Sequence, residues 1–80
     1  MYIITEIKRT CIACPAQWEG TFMGGAELYI RYRYGFLSVR KNGVELFALC
    51  IGDPLDGTLE YAKLKEIMFI HGYELPEMES

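Results

Sequence analysis

Apolar and polar residues alternate with a period of two in separate stretches between residues 2 and 40, and beyond residue 58 the period lengthens towards the 3.6 of a helix. Residues 2–9 (YIITEIKR) predict a first strand, with Ile3, Thr5 and Ile7 on one side and Tyr2, Ile4 and Glu6 on the other. Pro15 in the CIACP segment ends it, because proline cannot donate to a ladder. Residues 16–22 (AQWEGTF) predict a second strand with Ala16, Trp18, Gly20 and Phe22 on one face. Gly24-Gly25 signals a turn. ELYIRYRY (27–34) then sets Leu28, Ile30, Tyr32 and Tyr34 against Glu27, Tyr29, Arg31 and Arg33. Gly35 permits a reversal into FLSVR, where Leu37 and Val39 share a face. Asn42-Gly43 is the strongest hairpin signal in the chain, since a type I′ turn wants positive φ at both central positions. Residues 44–51 (VELFALCI) are apolar on both faces apart from Glu45, the pattern of a central strand covered on both sides.

GDPLDG (52–57) breaks the strand pattern, and Thr58 is a candidate N-cap for a helix over 59–71, with Glu60 in its first turn. Tyr61, Leu64, Ile67, Met68 and His71 form its apolar stripe, and Gly72 suits the position after its end. The predicted fold is α+β: a bent antiparallel β-meander of four or five strands with one C-terminal helix packed on its concave face. Trp18 and Phe22 contribute to the shared core. Residues 1–72 form the single domain, and 73–80 are expected to be a loose acidic tail.

Length restricts what such a fold can do. A chain of 80 residues buries only ~60% of its unfolded surface, so association into a homo-oligomer would help it. No apolar run approaches the ~20 residues of a membrane span, and Glu6, Lys8 and Arg9 interrupt the only N-terminal stretch that could serve as a signal peptide. A large multi-site enzyme, a transmembrane protein and a long coiled coil are excluded. Three cysteines, an odd number, do not make a disulfide framework and suggest a reducing cytoplasm. The net charge of −3 arises in the tail, from Glu74, Glu77 and Glu79; residues 1–71 hold eight basic and eight acidic side chains. Non-specific DNA binding, which depends on phosphate neutralisation, does not suit that balance. Arg31, Arg33, Arg40 and Lys41, however, crowd into a stretch without an acid.

That stretch carries the candidate chemistry. Tyr29, Arg31 and Arg33 lie on one strand face, Arg40 follows on the next strand, and Trp18 and Glu19 sit on a neighbouring one. Guanidinium groups bind phosphate or carboxylate bidentately, while Tyr and Trp provide flat contacts. The plainer reading is a solvated sheet face, which alternation alone produces. No nucleophile elbow, glycine-rich phosphate loop or H-E-x-x-H is present, so the expectation is a non-catalytic binding protein without a cofactor. The alternative is a structural module with a zinc site of Cys11, Cys14, Cys50 and His71. C-x-x-C delivers two thiolates to a tetrahedral metal, but the other two ligands would come from separate elements. A redox role for the same pair is weaker, because a proline and a strand follow it rather than a helix. Asp53-x-x-Asp56-Gly57 lacks the alternate-position ligands of a calcium loop.

CPAQWEG (14–20), YIRYRYG (29–35) and GDPLDG (52–57) give residues 11–67 a resemblance to a group of short uncharacterised proteins encoded by phages and prophages. The resemblance implies an origin more than an activity. By analogy with small phage accessory proteins, it implies an inhibitor of host defence in the bacterial cytoplasm. Such a protein blocks a host protein or sequesters a small anionic ligand such as a signalling nucleotide, commonly as an oligomer.

Overall fold

Two tight turns set the register of the sheet. In the computed structural model, which describes residues 1–11, 16–52 and 59–79, Asn42 and Gly43 both have positive φ (50° and 80°), as do Tyr34 and Gly35 (55° and 76°). Turns of this hand match the twist of the strands they join. Asn42 is also clamped to the far strand. Its N–H donates to the Glu27 carbonyl (2.9 Å) and its Oδ1 accepts from the Glu27 N–H (2.8 Å).

The strands are β1 (Tyr2–Cys11), β2 (Ala16–Phe22), β3 (Glu27–Arg33), β4 (Phe36–Lys41) and β5 (Val44–Cys50), and the two turns join β3 to β4 and β4 to β5. A helix, α1 (Tyr61–Ile70), and a two-residue strand, β6 (Tyr73–Glu74), follow. They form one curled sheet in the order β5-β4-β3-β2-β1-β6. The chain is α+β as expected, but the sheet is mixed and has six strands rather than four or five antiparallel ones. The sixth is β6, which runs parallel to β1 through Tyr2–Tyr73 and Ile3–Glu74.

One face of the sheet holds the core. Trp18, Ile30 and Val39 make a cross-strand row at its centre, flanked by Ala16, Tyr32 and Leu37, and all six are buried. Leu64, Ile67 and Met68 of α1 pack into the same cluster, which joins the helix to the sheet. Each such side chain contributes ~1.5–3 kcal/mol when taken fully out of water. The helix is shorter than the sequence suggests. Glu60 is its N-cap without a side-chain hydrogen bond, and His71 is its C-cap. Thr58 and most of GDPLDG lie outside the described residues. His71 caps the stripe rather than entering the core, with its ring stacked on Phe47 at 4.7 Å. No helix among the described residues is long and apolar enough to cross a membrane.

Three expectations need correction. Strict alternation along β1 separates Ile4 from Ile7, yet both are buried. A bulge between Ile4 and Glu6 inserts Thr5, whose hydroxyl bonds the Thr21 carbonyl, and this returns Ile7 to the core side. Second, β5 is an edge strand and not a central one, with Val44 67% and Leu46 37% exposed. Hydropathy reports faces, whereas edge position follows from the meander order, in which the last hairpin strand has no later neighbour.

Third, the stretch after residue 72 is not loose. Tyr2 N–H bonds the Gly72 carbonyl (2.8 Å), β6 pairs with β1, and Leu75 is buried. The Tyr61 hydroxyl donates to the Pro76 carbonyl (2.6 Å), and Lys65 pairs with Glu77 (2.8 Å). Burial of Tyr61, and secondarily the charges of Glu79 and Glu77, push its phenol up to about 12. At the end of the segment, Glu79 Oε1 accepts from both Arg9 Nε (2.8 Å) and Trp18 Nε1 (2.9 Å). The Arg9 guanidinium lies over the Trp18 ring (4.4 Å) and also donates to the Leu59 carbonyl. The acidic composition suggested solvation, but one of its acids is the counterion of a partly buried arginine.

Leu64→Ala is expected to cost roughly 2–5 kcal/mol, the range for a buried leucine, while Lys63→Ala on the exposed side should stay within ~0.5 kcal/mol. Thermal melts of the two variants decide whether α1 is part of the core. Gly20 lies so close to β1 that an added Cβ would collide with the Glu6 carbonyl oxygen, which is backbone and cannot rotate away. Gly20→Ala should therefore destabilise by at least the ~1–3 kcal/mol of overpacking, and a denaturant midpoint equal to that of the parent would contradict this close approach. Glu79→Ala removes the acceptor of two donors and should cost about 1 kcal/mol, the partial exposure of the pair being allowed for. The Arg9 hydrogen bond above all, with the Trp18 bond and the Arg9 charge, holds the Glu79 carboxyl below the usual range despite opposition from burial. Its contribution is thus fully present above the ordinary glutamate range and is lost as pH falls through the depressed folded value. Melts of parent and variant should converge in acid; a constant gap would separate Glu79 from the titration.

Candidate functional site

With one helix, the chain covers one face of its sheet, and the other face carries the polar positions of every strand. Register assembles them into rows. Lys8, Glu19, Tyr29, Arg40 and Glu45 are successive Cα partners across β1 to β5. Gln17, Arg31, Ser38 and Ala48 form a second row, and Arg33, Phe36 and Cys50 a third. Tyr29, Arg31, Arg33, Ser38 and Arg40 line a depression of about 460 Å³ together with Tyr34, Phe36 and Glu45.

Four of the six side chains singled out from the sequence thus meet: Tyr29, Arg31, Arg33 and Arg40. Glu19 is on the same face but one strand over. It lines an adjoining depression with Glu27 that shares only Tyr29 and Arg40 with the arginine site. Trp18 must be withdrawn as a contact residue. It is fully buried on the opposite face, and its indole N–H is taken by Glu79. Alternation had already put Trp18 on the same face as Phe22, and a strand cannot present adjacent residues 18 and 19 to the same side.

The structure adds residues the sequence reading did not select. Tyr34 was expected beside Tyr32, on the face away from the arginines. Its φ of 55° turns it out, so that it is 61% exposed and its hydroxyl accepts from Arg33 Nη2 (3.0 Å), with the guanidinium 4.7 Å from its ring centroid. The signal was present: a two-residue turn made of Tyr34 and Gly35 takes Tyr34 out of the strand alternation. Phe36 and Ser38 follow from the alternation of β4 against Leu37 and Val39.

Electrostatically the depression is unbalanced. Among the described residues Glu45 is the one acid that lines it, and no carboxylate lies within ion-pair distance of Arg31, Arg33 or Arg40. Arg31 Nε is buried without a hydrogen-bond partner among the described residues. A buried donor left unpaired costs ~1–3 kcal/mol, and Nε together with one terminal nitrogen forms the fork that grips a carboxylate or phosphate. Ser38 is not beside the chain's one histidine, since His71 stacks on Phe47 on the helix side.

The zinc alternative is not assembled among the described residues. His71 lies on the helix side, whereas Cys50, opposite Phe36, is on the arginine side. Cys11 is half-buried at the end of β1, and Cys14 lies outside the described residues. No group of three or more potential metal ligands forms among the residues described. No family model matches the chain, and neither a curated protein nor a solved structure matches it.

Proposed function

We infer that the protein is a small non-catalytic binding module that captures an anionic group on the arginine face. The observation that carries this reading is the buried Arg31 Nε, unpaired among the described residues, in a depression they line with three arginines and one acid. An incoming phosphate or carboxylate would satisfy that donor, and Arg40 and the Tyr34-braced Arg33 would close on it from the sides. Tyr29, Tyr34 and Phe36 offer flat rings to the remainder of the ligand, as a nucleobase requires. A volume of about 460 Å³ lies within the range of small-ligand sites. A signalling nucleotide is the ligand class these features suit.

A second reading is favoured by the exposure of Tyr34 and Phe36, large aromatic groups of the kind that anchor protein interfaces. On that reading the same arginines receive an acidic patch of a host protein. Either activity fits an inhibitor of host defence of the phage type acting in the bacterial cytoplasm, which the resemblance of CPAQWEG, YIRYRYG and GDPLDG supports.

Native mass spectrometry of the protein as purified, followed by calorimetric titration with nucleoside monophosphates, cyclic dinucleotides and inorganic phosphate, tests this. Hydrogen bonds to charged groups are worth ~1.5–3 kcal/mol, so Arg31→Ala and Arg40→Ala should each weaken binding by roughly ten- to a hundredfold. Melting temperatures should move little, because neither side chain supports the core. Unchanged affinity in both variants would remove the arginines from the site. A melting-temperature loss like that of Leu64→Ala would make them structural.

A further inference from the structure

A larger concavity lies elsewhere, on the outer flank of the helix. Its volume is about 960 Å³, and it runs between the start of β1, α1 and residues 74–77. The helix therefore carries a second stripe. Tyr61, Leu64, Ile67 and Met68 face the core. Ala62, Lys65, Glu66, Phe69 and Ile70 recur at the same helical spacing along the groove. The last turns (Ile67, Met68, Phe69, Ile70) are apolar all round, a pattern of helices covered on more than one side. Yet Phe69 is 55% and Ile70 71% exposed, and Ile3 beside them is also exposed.

Charge selects the occupant. Glu66, Glu74 and Glu77 line the groove, and its only cation, Lys65, is already bonded to Glu77. Glu66 and Glu74 have no ion-pair partner among the described residues. The site is therefore an apolar trough with an acidic rim. A second copy of the chain does not suit it. The chain carries a net charge of −3, and its clustered arginines line the depression on the opposite sheet face. Lys41 lies over the Tyr2 and Phe22 rings. We propose that this groove docks a short apolar segment of another protein flanked by lysine or arginine. Its apolar side chains cover Ile3, Phe69 and Ile70, and its cations meet Glu66 and Glu74. The site is separate from the arginine face and does not depend on it.

Two fluorescein-labelled synthetic peptides test the assignment, one alternating lysine with valine and leucine, the other carrying glutamate in place of each lysine. Anisotropy is measured at physiological ionic strength, with amide chemical-shift mapping of the labelled protein. The lysine peptide should bind at least about tenfold more tightly than the glutamate peptide. Shifts should concentrate at residues 3–5 and along Glu66, Phe69 and Ile70. Ile70→Ser and Phe69→Ser should weaken binding through lost apolar contact, and Glu66→Lys through lost charge. Arg31→Ala should leave it unchanged, which separates this groove from the arginine face. Ile70 is so exposed that its replacement should not affect folding, and a melt of each variant checks this. The proposal is overturned by equal binding of the two peptides, by no binding, or by shifts confined to another surface. It is equally overturned by a parent dimer that Ile70→Ser dissolves, since a second copy would then occupy the groove.

Discussion

The structure depends on a shortage of cover. Among the described residues, one helix of ten residues and one returning segment shield one face of a curled sheet. Every strand is consequently two-sided, with Trp18, Ile30 and Val39 in one direction and Glu19, Tyr29 and Arg40 in the other. That constraint makes the polar face available for recognition. It also leaves the core thin enough that its margin must be sealed by polar contacts. Glu79 does this by accepting from Trp18 and Arg9 together, so that the largest buried side chain is anchored by the last described residue.

What was legible in the sequence follows from this two-sidedness. Period-two alternation located β2, β3 and β4 and sorted their faces, because each has one wet and one dry side. The arginine cluster could be read for the same reason: Arg31 and Arg33 alternate with Ile30 and Tyr32, and the Asn42-Gly43 turn delivers Arg40 beside Tyr29. Three other features were not legible in the same way. The Thr5 bulge changes the side of the residues from Glu6 to Arg9 without altering composition, and a second irregularity before Cys11 changes it back. Positive φ at Tyr34 depends on which residues make the turn, not on hydropathy. The fold of residues 73–79 rests on contacts with Arg9 and Trp18, some sixty to seventy positions away, and local pattern does not report such pairs.

The two surfaces differ in kind as well as in place. The arginine depression is cationic, and holds a buried donor unsatisfied among the described residues, which rewards a ligand with a localised negative charge. The groove along α1 is larger and apolar, with acids at its rim, which rewards shape and hydrophobic area first. One is built on sheet register, the other on helix periodicity. Substitutions in either need not disturb the core packed between them.

The edge position of β5 has a consequence for solubility. Its seven residues, VELFALC, contain one charge and no proline, and are rich in apolar side chains, the composition of segments that stack into cross-β assemblies. Its outer backbone groups have no strand beside them among the described residues. Two features stand against runaway pairing. The bulge at Val39/Arg40 bends the edge, so that a straight incoming strand cannot match it along its length. Glu45, placed at that irregularity, would bring like charges together in many of the registers two such edges could share. At the opposite edge β6 covers only the first two residues of β1, so there too protection is local, whereas at β5 it rests on one irregular pair and one carboxylate.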